Sequence, residues 1–370
     1  MALSADLIGR IQQLAQHQET VHAALGERAL DDHAIGRQLA LRRKLERHDF
    51  SRLDDVCLGH NLRHALPLDA RRHYTRLPKD FLAGDFASLP ERAVYLLLNN
   101  DIGKLLPQYL ALVEQRPASL FVVWDWDSQH WLQMSGMLAA HSDFYLPSTS
   151  ENLYTLSHFS PHLLGPVPVA VNQWSRAFIV EHMDKLLAAR SDAPFGPHVR
   201  YDNFARRNRA LSTLNKSFPG IAFADHGYQV KSELDNLLDW AGHKTHWIVP
   251  VLGGVPIRVF NCLLTGGIPV LPSFYRQMPE VMSLGDSPVW YDVFDLVEPG
   301  AVQQQASARF DAAGPVGVAA RVGQALRTAH VDTRCETVLR AVEDAVRCIV
   351  SGDRTVPARY LMNPAADRVA

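Results

Sequence analysis

Short apolar runs alternate with amphipathic stretches along most of this chain. The runs AVYLLL (93–98), SLFVVW (119–124), DFYLP (143–147) and VPVAV (167–171) are each short enough to be a buried strand. Each ends in polar or turn-forming residues, and apolar residues then recur at helical spacing. That rhythm predicts helices to about residue 115, to about 140, over 150–158 and over 174–190. Short apolar strands alternating with helices build βαβ units, and so a parallel sheet covered on both faces.

The rhythm pauses at SDAPFGPHVRYD (191–202), which reads as a linker, and then restarts. NFARRNRALSTLNK predicts a helix and GIAFAD (220–225) a strand. SELDNLLDWAG predicts a helix, THWIVPV (245–251) a strand, VPIRVFNCLLTGG a helix and IPVLPS a strand. Two further helical patterns lie around 316–329 and 333–350. Ahead of the first strand, Leu7, Ile11 and Leu14 fall at helical spacing in a segment that predicts two helices, broken between Gly26 and Asp32. Residues 51–90 are mixed, with breaks at Pro67, Pro78 and Pro90. The expected layout is a helical arm (1–50), a first α/β domain (51–190), the linker, a second α/β domain (203–350) and a tail (351–370).

Composition narrows the function. A length of 370 residues suits two domains. With 37 Lys and Arg against 39 Asp and Glu, the net charge of −2 excludes bulk nucleic-acid binding, which needs a strong positive excess. Cys57, Cys262, Cys335 and Cys348 form no C-x-x-C pair, and a reducing compartment is expected. The N-terminus lacks the basic and apolar regions of a signal peptide, and no apolar run approaches the ~20 residues of a membrane span. The expectation is a cytoplasmic protein. Neither G-x-S-x-G, nor a P-loop, nor a dinucleotide G-x-G-x-x-G is present. The H-x-x-x-H spacings at His60/His64 and His158/His162 lack the glutamate of H-E-x-x-H, and Pro161 interrupts the second, so a zinc site is not expected.

The most informative stretch is GGVPIRVFNCLLTGGIPVLPS (253–273). Gly253 and Gly254 precede a helix whose N-terminal N–H groups favour phosphate, and Arg258 lies one turn in. Gly266 and Gly267 close the helix. This stretch resembles the C-terminal-domain signature R-x-F-E-A-L-x-A-G-x-I-P-V of exostosin-like, fucosyltransferase-like and related GT-B glycosyltransferases. Arg258, Phe260, Leu263, Gly266, Ile268, Pro269 and Val270 match in register. The family's usual Glu, which commonly holds sugar or ribose hydroxyls, is Asn261 here. An amide can donate and accept but carries no charge.

The resemblance implies two Rossmann-like domains facing one another across a cleft, with the final helices crossing back to the first domain. It implies a nucleotide-sugar donor on the second domain and a saccharide, lipid-linked or protein hydroxyl as acceptor on the first. A lipid-linked acceptor would bring peripheral membrane contact, and the N-terminal helices offer a homodimer contact. Bacterial-type surface polysaccharide or glycoconjugate synthesis is the expected setting.

Candidate residues follow the strand ends, where open α/β sheets bind ligands. Asp125, Asp127 and His130 follow the second apolar run. Asp127 or His130 would serve as general base toward the acceptor, one turn apart on a helix that Asp127 would also cap. Asp125 and Asp127 form a D-x-D, the pattern that grips a divalent metal in GT-A enzymes; metal-dependent transfer is the rival reading, and no cofactor is expected. Asn99, Asn100 and Asp101 read as a turn or cap. Arg206 and Arg209, three apart, would face the cleft and the donor diphosphate, with Arg207 solvated. Asp225 and His226 would contact the donor's base or ribose. Gln173, Trp174 and Arg176 read as a packed aromatic with polar neighbours beside the acceptor. The same organisation would also suit a nucleotide-sugar epimerase or a catalytically degenerate partner subunit.

Overall fold

Two wholly parallel sheets, one of five strands and one of three, organise the chain among the described residues. This computed structural model describes residues 33–128, 132–224, 231–251 and 254–352, with a few helical positions between 8 and 16. Most of the expected N-terminal arm and the tail therefore lie outside the described residues.

The first unit begins with helix α1 (His33–Arg47), strand β1 (Asp55–Leu58) and strand β2 (His73–Arg76). It continues with β3 (Val94–Leu98), α2 (Leu106–Gln115), β4 (Leu120–Asp125), α3 (Leu132–His141), β5 (Phe144–Pro147) and α4 (Leu153–Ser157). The strand order is β2-β1-β3-β4-β5. Side chains alternate across this sheet, as the two-residue period of a strand requires. Val94, Leu96, Leu98, Val122 and Trp124 enter one core, which also takes Leu41 and Leu45 of α1. Tyr95, Leu97, Phe121, Val123 and Tyr145 enter the other. The apolar runs correctly marked β3, β4 and β5, whose residues are all buried. They did not mark β1, whose apolar run is only Val56–Leu58 behind an exposed Asp55, or β2, an edge strand with mostly exposed residues.

The predicted fourth strand, 167–171, is no strand. Pro166 and Pro168 lack the N–H that a ladder needs. The segment instead runs extended and buried, its ends held by Val167 N to Pro147 O (3.0 Å) and Val171 N to Ala329 O (2.9 Å).

The second unit contains α5 (Arg176–Glu181), α6 (Ala205–Ser217), α7 (Glu233–Ala241), β6 (Thr245–Trp247), α8 (Ile257–Leu264), β7 (Ile268–Pro272), β8 (Val289–Tyr291) and α9 (Gly300–Thr328). Its sheet runs β6-β7-β8 around a single large core. The predicted strand 220–225 is reduced to one bridge, Phe223 to His198, with residue 225 outside the described residues. Helix α9 begins earlier than its apolar pattern suggested and breaks at Gly314 (φ 54°), before Pro315. Its first half buries Val302, Ala306 and Phe310, one residue per turn.

Helix α8 ends on Gly266, at φ 77°. A Cβ there would meet Val318 Cγ1 at 2.5 Å, and one on Gly267 would meet His246 Cδ2 at 2.9 Å. The Gly-Gly pair thus provides the left-handed cap and lets β7 follow closely.

The last helix, α10 (Val331–Ser351), packs Cys335, Val338, Leu339 and Val342 into the first unit's core beside α1. The chain therefore crosses between units near 172–175 and again near 329–331. The crossings are tied by the Val171–His330 bridge and by His330 Nε2 to Trp174 O (3.1 Å). The loops at the carboxyl ends of β1, β3, β4 and β6 face the space between the units.

Candidate functional site

Two adjoining cavities occupy that space. One, of about 320 Å³, lies between the units. The loops after β1, β3 and β4 supply His60, Asn61, Arg63, Asn100 and Trp126, and α8 supplies Ile257. The other, of about 270 Å³, lies in the second unit, off the end of β6 and the start of α8. Phe195, His198, Arg207, Trp240, Arg258 and Asn261 help to line it. Gln173 and Ile257 line both, so the two cavities adjoin at these residues.

Asp125 and Asp127 have different fates. Asp125 follows Phe121 and Val123 onto the inner face of the sheet and is fully buried. Its Oδ2 accepts hydrogen bonds from Ser135 Oγ and Tyr145 Oη, and its Oδ1 accepts from Asp127 N (2.9 Å). A carboxylate occupied in this way touches neither cavity, so Asp125 is a structural anchor for the loop rather than a catalytic group. With Asp125 so occupied, Asp127 is the D-x-D carboxylate left outside the core. Among the described residues, no group of three or more His, Cys, Asp or Glu side chains could hold a metal ion.

Desolvation holds the Asp125 carboxyl above the usual carboxylate range, only partly offset by its hydrogen bonds. A raised folded value means that the native state binds more protons than the unfolded one. This contribution to stability is complete below the unfolded value near 3.8 and is lost as pH rises through the folded value. Asp125→Asn is expected to remove that slope. Denaturant unfolding across this pH window should show wild-type stability falling more steeply with rising pH than the variant's; parallel curves would refute the assignment.

Asp127 is half-buried at the end of β4. Its Oδ2 accepts from Asn100 Nδ2 (2.8 Å), and Asn100 lines the inter-unit cavity. The loop beneath is fixed by Asn99 Oδ1, which accepts from Trp126 N (3.0 Å). Asp101 Oδ2 accepts from Leu98 N and its Oδ1 from Asn61 N, each at 2.8 Å. Asn99 and Asp101 thus shape the turn, while Asn100 orients Asp127. His130 lies outside the described residues.

In the second unit, Arg258 Nη2 donates to Pro197 O (2.7 Å). Its guanidinium lies 5.0 Å from the ring centre of Phe195 and 5.2 Å from that of Trp240. Asn261 is buried on the same helix; its Nδ2 donates to Gln173 Oε1 (3.0 Å), and its Oδ1 has no hydrogen-bond partner. Gly254 is buried, and its carbonyl accepts from Tyr275 Oη (2.6 Å). Gly253, Asp225 and His226 lie outside the described residues.

The arginines of α6 are placed otherwise than their charge spacing suggested. Arg206 and Arg209 are exposed or half-exposed and line neither cavity, whereas Arg207 is buried in the wall of the second. The reason is helical phase. Leu211 and Leu214 face the core, and Arg207, four and seven residues earlier, shares their face. Arg207 Nη1 donates to Val199 O (2.8 Å) and its Nε to Val249 O (3.2 Å). Trp174 is fully buried, and Arg176 donates to Asp332 Oδ2 (3.2 Å) and Leu326 O (2.8 Å).

Sequence reasoning missed Phe195, His198 and Tyr201, which it placed in a linker. These residues line the second cavity. An aromatic and a histidine set among Pro194, Gly196 and Pro197 were the available signal: a rigid loop carrying ring side chains. It also missed Glu280, a buried carboxylate that accepts from Ser150 N and so joins the two units.

No protein-family model and no curated protein sequence matches this chain. Among solved structures it is similar to an α,α-trehalose-phosphate synthase (UDP-forming) from Burkholderia vietnamiensis. The TM-score is 0.44 at 13% identity, over 73% of this chain and 78% of that one. It is also similar to a UDP-forming α,α-trehalose-phosphate synthase from Burkholderia xenovorans, with TM-score 0.43 at 10% identity, over 70% and 75% of the two chains. A likeness of this degree assigns neither ligand nor residue role.

Proposed function

We propose that this protein is a glycosyltransferase that moves a sugar from a nucleotide-sugar donor, held in the second unit, to a hydroxyl acceptor held between the units. The observation that carries the reading is that the two cavities adjoin at Gln173 and Ile257. One cavity is lined by the first residues of α8, Arg258 among them, and the other by Asn100, which holds the carboxylate of Asp127. A ligand anchored in the first would present its far end to the second.

In this mechanism the acceptor oxygen bonds to the anomeric carbon of the donor sugar while the bond from that carbon to the phosphate oxygen breaks. Asp127, or His130, takes the acceptor's proton. The departing nucleoside diphosphate carries negative charge, which Arg258 and the N–H groups at the start of α8 offset. Asn261 offers hydrogen bonds to hydroxyls of the donor. We place the reaction in the cytoplasm, in synthesis of a bacterial-type surface polysaccharide or glycoconjugate. Among the described residues no helix is long and apolar enough to cross a membrane, so a lipid-linked acceptor would be met peripherally.

A thermal-shift panel of nucleotides and nucleotide sugars tests the reading. One nucleoside diphosphate is expected to raise Tm by several degrees, on the order of 2–4 kcal/mol of linkage at saturation. Turnover is expected to survive EDTA. Loss on chelation, restored by manganese, would move the mechanism to a metal. Conversion of the donor without acceptor would indicate an epimerase. No shift with any nucleotide would indicate a non-enzymatic partner subunit.

A further inference from the structure

The wall of the second cavity contains a buried histidine with an unsatisfied ring nitrogen. His198 is 3% exposed, lines the cavity and carries an Nε2 with no hydrogen-bond partner. A buried, unbonded ring nitrogen costs stability, and such groups in native proteins call for a reason.

The backbone around His198 is fixed at every point. Arg258 donates to the carbonyl of Pro197, and Arg207 to the carbonyl of Val199. His198 N donates to Ala222 O (2.7 Å), and Ala224 N donates to His198 O (2.9 Å). Two guanidinium groups and a backbone bridge thus hold in place the stretch of backbone that carries the imidazole in the cavity wall. That is how a binding group is preorganised.

The surroundings indicate what it would bind. Phe195, Trp240, Ile248, Val249 and Val251 make most of this wall apolar or aromatic. Burial, with Arg258 and Arg207 nearby, holds His198 well below the ordinary histidine range, so the ring is neutral near pH 7. A neutral ring is a poor grip for phosphate. It can instead donate or accept a single hydrogen bond, according to its tautomer. A planar heteroaromatic ring, with apolar faces and a polar edge, complements a wall in which these apolar and aromatic side chains are set beside polar ones such as His198, Asn236 and Asn261.

We propose that His198 reads the polar edge of the donor's nucleobase and selects one base over the others through its Nε2. The inference rests on the donor reading above and adds to it the residue that chooses the nucleotide.

The test is isothermal titration of the full chain with UDP, TDP, CDP, ADP, GDP and inorganic pyrophosphate, for wild type, His198→Phe and His198→Gln. Wild type is expected to prefer one base. His198→Phe, which keeps the ring volume and removes Nε2, should weaken the preferred diphosphate by about tenfold and level the ranking, the scale of one lost buried hydrogen bond. Pyrophosphate affinity should not change. His198→Gln should retain part of the discrimination. An unchanged base ranking, or equal weakening toward pyrophosphate, would overturn the proposal. If His198→Phe fails to fold, ¹⁵N NMR of the wild-type imidazole decides: Nε2 should respond to the preferred diphosphate and not to pyrophosphate, and the opposite response would overturn it. If wild type binds no nucleoside diphosphate at all, the donor reading falls and this inference falls with it.

Discussion

Asp127→Asn is expected to lower kcat by about 10²–10⁴-fold, the usual range for loss of a general base, while leaving donor affinity unchanged. The expectation rests on position. Asp127 is the half-buried carboxylate of the D-x-D and is bonded to Asn100 of the inter-unit cavity, whereas Asp125 is turned into the core and occupied by Ser135 and Tyr145. Asn100 holds Oδ2 of Asp127, and the backbone N–H of Asp127 is held by Asp125, so the carboxyl is aimed before any ligand arrives. Asparagine keeps the size and the contact with Asn100 but cannot take a proton. Asn100→Ala, which only releases the carboxyl, should have the smaller effect. Steady-state kinetics beside donor titration separates these effects. An Asp127→Asn enzyme with near-normal kcat would pass the role of base to His130 or elsewhere. Weakened donor binding with unchanged kcat would mean that Asp127 belongs to the donor site.

The sequence disclosed the layered fold because its central strands are buried on both faces. Val94–Leu98 and Leu120–Asp125 have no exposed residue, so they read as apolar runs. Strands that lack that property escaped. β2 is an edge strand with polar residues, and β8 is three residues long. Helix α8 was legible because the features that build it are local: Gly266 for a left-handed cap, Phe260 and Leu263 for burial, Arg258 near its start. The rest of the site is assembled by the tertiary fold. The ring side chains among Pro194, Gly196 and Pro197 mark 195–201 as more than a linker, but the segment becomes a cavity wall because Arg207 and Arg258, which lie outside it, bond its backbone. The case of α6 is different. Leu211 and Leu214 set its phase, and counting back from them selects Arg207 over Arg206 and Arg209. That information lies in the sequence, in the apolar phase of the helix rather than in the spacing of its charges.

Arg258→Ala is expected to abolish the nucleotide-induced thermal shift and to destabilise the free protein as well. The two effects have separate causes. In the free protein, Arg258 bonds the Pro197 carbonyl and covers the rings of Phe195 and Trp240. Losing a charged hydrogen bond and a partly buried cation–π contact should cost about 2–4 kcal/mol, visible as a lower Tm without ligand. On binding, the lost charge leaves the diphosphate to the helix N-terminus alone, which should weaken affinity by about a hundredfold or more. Arg258→Lys separates the causes. It keeps a positive charge but not the planar fork that reaches Pro197 while lying over two rings. Its unliganded Tm should stay close to that of the alanine variant, while part of the nucleotide response returns. An alanine variant with a lowered Tm but undiminished nucleotide affinity would confine Arg258 to bracing the 195–199 loop. The diphosphate would then have to be met by the N–H groups at the start of α8 and by other cations of the cavity.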